Sequence, residues 1–362
     1  MTTVLFTGFP GFLGSALLPR VLARDPAADA VCLVQPRHAR LANERAEALM
    51  RDDGSLRGRI RMVEGDIVQP DLGLAGEPRL TERITEIYHL AAIYDLSVAR
   101  ELAMRVNVEG TRHVIDLARR TTNLKRLHYV STCYVSGRYQ GRFTEEMLEQ
   151  GQTFNNHYEE TKYLAEVEVQ RGMREGLPAT IYRPASVVGD SRTGETQKYD
   201  GPYFAMQWLL RQPRVALMPV VGDPTRYEFN VVPRDFVVDA IAALSAMSHG
   251  VDRVYQLADP APLTVDRLLR ELARATGRFM IRLPLPMALA KGSIDRVPIV
   301  NRILRIPSAA VNYFVHPTHY DTSNAQADLA DTGIRCPRFP EYVDRLVTFM
   351  REHPEVGAEA MT

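Results

Sequence analysis

The sequence predicts an α/β fold: a doubly wound parallel sheet followed by a smaller mixed α/β C-terminal lobe. Three observations carry this prediction. Short, continuously apolar runs alternate with segments of helical periodicity through the first half of the chain. Strands buried on both faces read as unbroken apolar runs, and strands that alternate with helices form parallel sheets. After about Val187 the alternation loosens, and proline and glycine become frequent. Finally, the stretch TGFPGFLG (Thr7–Gly14) sets three glycines between the first apolar run and the first helical one, more than a tight turn requires.

The elements follow in order. VLFT is a buried strand, and FLGSALLPRVLAR carries Leu13, Leu17, Leu18, Val21 and Leu22 at helical spacing. AVCLV (Ala30–Val34) is a second strand and RHARLANERAEALM a helix. IRMVEGD and EIYHLAA are the third and fourth strands, Val106–Arg120 a helix and LHYVST the fifth strand. HYEETKYLAEVEVQRG is a helix and ATIYRPA the sixth strand. Beyond these, FNVVPRDFVVDAIAAL reads as a strand running into a helix, and Leu263–Thr276 as another helix. Val297–Phe314 mixes apolar and basic residues. The expected domains are 1–187 and 188–362, with about 227–247 returning to the first.

Strand, glycine turn and helix form the context of a dinucleotide-binding fingerprint on a Rossmann sheet. Gly8 would make the turn, Gly11 would admit a pyrophosphate and Gly14 would let the helix pack on the strand. The helix start at Phe12 and Leu13 offers free N–H groups and a partial positive charge. The bare alternative is an ordinary βα turn. An NAD site usually has an acid about 20 residues after the last glycine, bonded to the ribose 2′-hydroxyl. Here Gln35 stands at that place and Arg37 and Arg40 follow. An amide with guanidinium groups nearby accepts a 2′-phosphate that an acid would repel, so NADPH is expected; solvated arginines at a helix start are the alternative. Asp66 and Ile67 after the third strand, and Ala91 and Ala92 after the fourth, fit the same pocket.

The remaining composition narrows the class. With 44 basic and 44 acidic residues, the chain lacks the basic excess of a nucleic-acid binder. Its three cysteines form no CxxC, so neither a zinc site nor a disulfide framework is expected. The first residues lack the basic-then-apolar pattern of a leader, and no run reaches the roughly 18 apolar residues of a membrane span. A cytoplasmic setting is the simplest expectation.

Tyr158 and Lys162 are four residues apart and share a helix face. An ammonium beside a phenol lowers its pKa and helps it exchange a proton near neutrality. Thr132, at the end of the fifth strand, could hold a substrate oxygen. With a nicotinamide these three make a carbonyl reductase; the alternative is a surface helix carrying a chance Tyr-x-x-x-Lys. Cys133 beside Thr132 reads as inert strand-end packing.

The chain resembles the extended short-chain dehydrogenase/reductases through TGFPGFLG, GDI (Gly65–Ile67), HLAA (His89–Ala92), NVEGT (Asn107–Thr111), VSTCYVSG (Val130–Gly137), Tyr158-x-x-x-Lys162 and YRPASVVG (Tyr182–Gly189). It is most similar to their fatty acyl reductase and thioester reductase branch, in particular to the amino-terminal reductase half of bacterial alcohol-forming fatty acyl-CoA reductases. YHLAAIYDLS, GDSRTGETQKYDGPYF, FNVVPRDFVVDAI, VNYFVHPTHYDTSNAQ and CPRFPEY carry that likeness. The resemblance implies Thr132 as catalytic hydroxyl, Tyr158 as general acid and Lys162 as ribose-binding lysine. It also implies cofactor contacts from Thr7, Gly8, Gly11, Phe12, Leu13, Gly14, Asn107, Pro184 and Val187.

Gln35 departs from the arginine of many NADPH-using relatives, so the 2′-phosphate falls to Arg37 or Arg40. No counterpart of a second reductase module is present in the sequence, which slightly favours aldehyde over acyl thioester as the expected substrate. A long apolar acyl chain would suit PYFAMQWLL (Pro202–Leu210), Val297–Val300 and Ile306–Val315, although each residue alone reads as core. Arg302 and Arg305 suit a solvated helix face, and would also suit a membrane surface or an acyl carrier's phosphate. Family analogy allows a homodimer. Three other readings stay open: a ketone or hydroxysteroid-type alcohol dehydrogenase, a nucleotide-sugar epimerase or dehydratase (against which Gln35 argues, since these hold NAD), and a non-catalytic NADP(H) sensor.

Overall fold

The apolar runs of the N-terminal half become strands, and the periodic segments become the helices between them. In the computed structural model, which describes residues 2–77, 79–285 and 312–357, the chain begins with β1 (Thr3–Thr7), α1 (Phe12–Ala23), β2 (Asp29–Val34), α2 (Ala39–Asp52) and β3 (Ile60–Glu64). It continues through α3 (Leu80–Arg83), β4 (Ile84–His89), α4 (Arg100–Ala103), α5 (Gly110–Arg120), β5 (Arg126–Val130), β6 (Gly141–Phe143), α6 (His157–Arg174) and β7 (Ala179–Pro184). Next come β8 (Ser186–Val188), α7 (Pro202–Leu210), β9 (Val215–Val221), β10 (Val231–Pro233), α8 (Arg234–Ala246), β11 (Arg253–Leu257), α9 (Val265–Thr276) and β12 (Phe279–Leu285). Then follow β13 (Thr318–Tyr320), α10 (Ser323–Leu329) and α11 (Phe339–Glu352).

Seven parallel strands form the main sheet in the order β11-β7-β5-β4-β1-β2-β3. From β1 the chain winds outward to β2 and β3; from β4 it winds the other way. The crevice at the C-terminal ends of β1 and β4 is the switch point at which such sheets bind ligands. One face is covered by α1, α2 and α8, whose Leu17, Leu18, Ala42, Val237 and Ile241 share a core with Phe6 and Tyr88. The other is covered by α5 and α6 through Val114, Ile115, Ala165 and Val169. An aromatic ladder crosses five neighbouring strands of the first face: Phe6, Tyr88, His128, Tyr182 and Tyr255, with successive ring centroids 4.9, 4.3, 6.1 and 6.0 Å apart.

Two local features depart from the sequence reading. A π-helical turn, Met104–Glu109, precedes α5 where one continuous helix is expected; such turns are frequent at functional sites, and this one carries Asn107. The seventh sheet strand, β11, is not expected from the sequence, because Gln256 interrupts its apolar run. That side chain is fully buried, and its amide donates to the carbonyls of Phe143 and Asp321, 2.8 Å each.

A separate core joins α7, α9 and α11 to β9 and β10 through Met206, Leu209, Leu268, Leu272, Leu346 and Val231. Trp208 on α7 donates its indole N–H to the Leu217 carbonyl of β9 at 2.7 Å. Val297–Val300, Arg302, Arg305 and most of Ile306–Val315 lie outside the described residues. No described helix is long and apolar enough to cross a membrane.

Candidate active site

The glycine loop folds into backbone-to-backbone contact. Gly8 has φ of +92°, and a Cβ there would lie 2.8 Å from the amide nitrogen of Ala91. A Cβ on Gly14 would lie 2.5 Å from the Gly8 carbonyl oxygen. The Gly11 N–H donates to that same oxygen at 2.9 Å. No side chain caps α1, so its first turn keeps N–H groups for an anion. The Phe12 ring lies 5.1 Å beneath the Arg234 guanidinium, and Leu13 packs on the sheet core.

Thr7 accepts from the Ala91 N–H at 3.2 Å and meets His89 Nδ1 at 2.7 Å. His89 Nε2 continues to Thr111 at 3.0 Å. Burial and the neighbouring Lys162 push the imidazole down to about 3, which keeps it neutral. Ala91 and Ala92 stay partly exposed in the loop after β4.

At the ends of β2 and β3, Gln35 Nε2 donates to Asp66 at 2.8 Å and Arg37 Nε donates to Gln35 Oε1 at 2.8 Å. These three side chains are brought together. Arg40 is not with them: it pairs with Glu44 at 2.8 Å on an exposed helix face. Ile67 packs beneath Gly110, and its carbonyl accepts from His113. Pro184 ends β7, and Val187 on β8 pairs with Val232 on β10.

Thr132 follows β5 and is buried, whereas Tyr158 lies in the first turn of α6 and is half-buried. Their side chains are neighbours. Thr132 Oγ1 also donates to the Pro184 carbonyl at 3.4 Å and accepts from the Tyr134 N–H at 3.2 Å. Burial pushes the Tyr158 phenol up, opposed by the neighbouring Thr132 hydroxyl, with Glu159, Asp200 and Tyr94 reinforcing the rise. Lys162 is buried one turn along. Its ammonium donates to Tyr129 Oη and to the Val130 carbonyl, 2.9 Å each, and lies 4.4 Å from the Tyr129 ring centre. Burial lowers it to about 7, opposed by Glu166. The expected depression of the phenol by Lys162 therefore gives way to the opposite shift, because the ammonium turns to Tyr129 and burial dominates at Tyr158.

Asn107 is expected at the cofactor, but both its amide hydrogens are engaged within the chain. They donate to the Ile93 carbonyl and to Thr161, 3.0 Å each, and its oxygen accepts the Ile93 N–H at 2.9 Å. Its side chain thus ties the loop after β4 to α6. Cys133 is fully buried, donates to the Arg183 carbonyl at 3.0 Å and is pushed well up by burial, as suits a packing residue.

Sequence reading missed what holds Thr132 against α6. Arg183 and Glu166 form a fully buried pair at 2.6 Å; Glu166 also accepts from Ser131 at 2.5 Å, and Arg183 donates to the Met147 carbonyl at 2.8 Å. The signal was available: Glu166 follows Lys162 by the same four residues that separate Lys162 from Tyr158. A carboxylate on that buried face needs a partner. Together the site presents a hydroxyl pair, an adjoining lysine and a glycine cradle.

The family model described as "Male sterility protein" matches residues 6–241. The chain is 31% identical over 279 residues to a linear gramicidin synthase polypeptide of Brevibacillus parabrevis, covering 73% of this chain and 5% of that protein. It is 28% identical over 276 residues to fatty acyl-CoA reductase wat of Drosophila melanogaster, covering 66% of this chain and 53% of that protein. The chain thus spans only part of the length of these curated relatives. Among solved structures, the terminal R domain of the myxalamid PKS-NRPS biosynthetic pathway superposes with a TM-score of 0.81 at 28% identity, covering 98% of this chain and 92% of that one. With seven parallel strands, a glycine cradle and a family match over more than half its length, the chain belongs to the male sterility protein family, the NAD-binding reductases of the extended short-chain dehydrogenase/reductase and thioester reductase branch.

Proposed function

We propose that this chain is an NADPH-dependent reductase of fatty aldehydes and of acyl thioesters carried on coenzyme A or an acyl carrier protein. The observation that carries the reading is the neighbouring Thr132 and Tyr158 side chains beside the glycine cradle, with Lys162 one turn behind. The fatty acyl-CoA reductase among the relatives supports the acyl substrate.

The residues present fit the cofactor. The bare backbone of Gly8 and Gly14 and the uncapped start of α1 suit a pyrophosphate. Gln35 in place of an acid, with Arg37 held against it, suits a 2′-phosphate; Arg40, paired on the helix surface, contributes less. Asp66 would serve the adenine side, Lys162 the ribose, and Pro184 and Val187 the nicotinamide. Residues 1–187 would hold this group and 188–362 would shape the substrate site.

A bound nicotinamide supplies a hydride to the carbonyl carbon. The chain's own residues handle the oxygen: Thr132 and Tyr158 hold it, and Tyr158 gives it a proton. A phenol pushed up by burial stays protonated near neutrality, which suits an acid. Such positioned acid catalysis is worth about 10²–10⁴-fold. From an aldehyde the product is a primary alcohol. From a thioester it is a hemithioacetal, whose carbon–sulfur bond breaks to leave aldehyde and thiol.

The test is the loss of reduced-nicotinamide absorbance with a long-chain acyl-CoA, the matching aldehyde and a steroid ketone, each with NADPH and NADH. Turnover of aldehyde or thioester with NADPH preferred is expected. Turnover of the ketone alone would overturn the acyl reading and leave an alcohol dehydrogenase.

A further inference from the structure

A second row of side chains crosses the sheet one residue beyond the aromatic ladder. Phe6, Tyr88 and His128 line one face, so their successors Thr7, His89 and Tyr129 belong to the other. The strands pair these in register, Thr7 with His89 and His89 with Tyr129. All three are buried, and each carries a polar group that needs a partner there. The helices on that face supply Thr111 from α5 and Lys162 from α6.

The bonds of this row run in a fixed direction. Thr111 donates its one hydroxyl proton to the Asn107 carbonyl at 2.6 Å, so its oxygen accepts from His89 Nε2 at 3.0 Å. His89 Nδ1 then accepts from the Thr7 hydroxyl at 2.7 Å, and Thr7 accepts from the Ala91 N–H at 3.2 Å. Tyr129 stands beside His89, with ring centroids 5.6 Å apart, and its hydroxyl neighbours Thr111.

Tyr129 meets Lys162 twice. Its Oη accepts from the ammonium at 2.9 Å, and its ring centre lies 4.4 Å from the same nitrogen. The Val130 carbonyl accepts a second N–H at 2.9 Å. A buried ammonium has three N–H groups and needs acceptors in place of water. Glu166, the carboxylate nearest in effect, is committed to Arg183 and Ser131. Among the described residues the Tyr129 oxygen is thus the side-chain acceptor on this ammonium.

We infer that Tyr129 is a positioning residue for the reaction: its hydroxyl oxygen stands in for water on the Lys162 ammonium, holding the charge on that nitrogen and leaving the third N–H for the cofactor ribose. The inference rests on the reductase reading and adds a residue that acts through Lys162. The row that ends at Thr7, beside the glycine cradle, is the mount that keeps Tyr129 in place.

The test is Tyr129→Phe, which keeps the ring and deletes only the oxygen. Among the groups around Lys162, His89 titrates at about 3, the Tyr129 and Tyr158 phenols are pushed up by burial, and Glu166 holds Arg183. A loss of kcat/KM above about pH 7 therefore belongs to Lys162. With NADPH and a fatty aldehyde, that loss should begin about one pH unit lower in the variant, the scale of one hydrogen bond to a charged group. The two chains should differ about tenfold on the alkaline side and converge towards acid pH. An unchanged profile, or an equal loss at every pH, would overturn the role. A second measurement needs no turnover: the nitrogen chemical shift of the Lys162 ammonium followed through a pH titration. Its midpoint should also fall by about one unit in the variant, and equal midpoints would overturn the proposal. If the midpoint moves while no carbonyl compound is reduced by either chain, the hold of Tyr129 on Lys162 stands and the reductase reading fails.

Discussion

The two sides of the Thr132–Tyr158 pair are built from different materials. On the cofactor side, backbone meets backbone: Gly8 against Ala91 and Gly14 against Gly8, with side chains kept away. On the other side, rings from separate segments (Tyr134, Tyr313, Tyr320) pack around the buried imidazole of His316. A backbone surface suits an invariant partner such as a pyrophosphate. A side-chain surface can be changed one residue at a time, and suits a partner that differs between relatives. Substitutions on the first side should therefore move cofactor binding without touching substrate choice, and substitutions on the second the reverse.

The sharpest separation comes at the boundary. Tyr158→Phe removes the proposed proton donor and should lower kcat/KM about 10²–10⁴-fold, with cofactor affinity kept in a direct binding titration. A drop in cofactor affinity of similar size would mean that the two sides are not independent. Glu166→Ala lies beneath both, and leaving Arg183 buried without its partner should destabilise the chain by about 3–5 kcal/mol in denaturant unfolding.

Gly8→Ala belongs to the cofactor side alone. It places a Cβ at positive φ against the Ala91 amide, at about 1–3 kcal/mol of strain. Calorimetry should show weaker cofactor binding, while KM for the carbonyl substrate holds in kinetics. Arg37→Ala is narrower still: NADPH affinity should fall about tenfold, the scale of one charge-assisted bond, and NADH affinity should hold. Equal losses for both cofactors would remove Arg37 from the 2′-phosphate.

A further effect is set by pH. Lys162 titrates near 7 in the fold and near its ordinary 10.5 when unfolded. Between those values the unfolded chain holds the extra proton, so this lysine makes stability rise with pH. Lys162→Met should therefore exceed wild type in melting temperature most clearly below pH 7, and the gap should narrow as the pH approaches 10.5. A constant gap would show that Lys162 keeps its charge.

The same contrast explains what is legible in the sequence. The main-sheet strands other than β11 follow from apolar runs, and the glycine cradle is contiguous, so TGFPGFLG can be read at sight. Tyr158 and Lys162 are one helical turn apart and read equally well. The ring cluster beside Thr132 joins residues far apart in the chain, and nothing local links Tyr134 to His316. Arg37 and Arg40 look equivalent in sequence because spacing cannot tell that one meets Gln35 and the other Glu44. The phenol's shift takes the wrong sign from sequence alone, since burial leaves no trace in a four-residue spacing.

The indole of Trp208 has a consequence for experiment. It belongs to the only tryptophan in the sequence, and it sits on α7 with its N–H on the Leu217 carbonyl, half-buried against the core separate from the main sheet. Intrinsic emission excited at that chromophore is thus a local optical reporter. Far-ultraviolet dichroism follows the whole backbone, so recording both during one melt asks whether the later lobe lets go before the sheet. Coincident curves would identify a single cooperative unit; an early emission change would identify the later lobe as the looser partner.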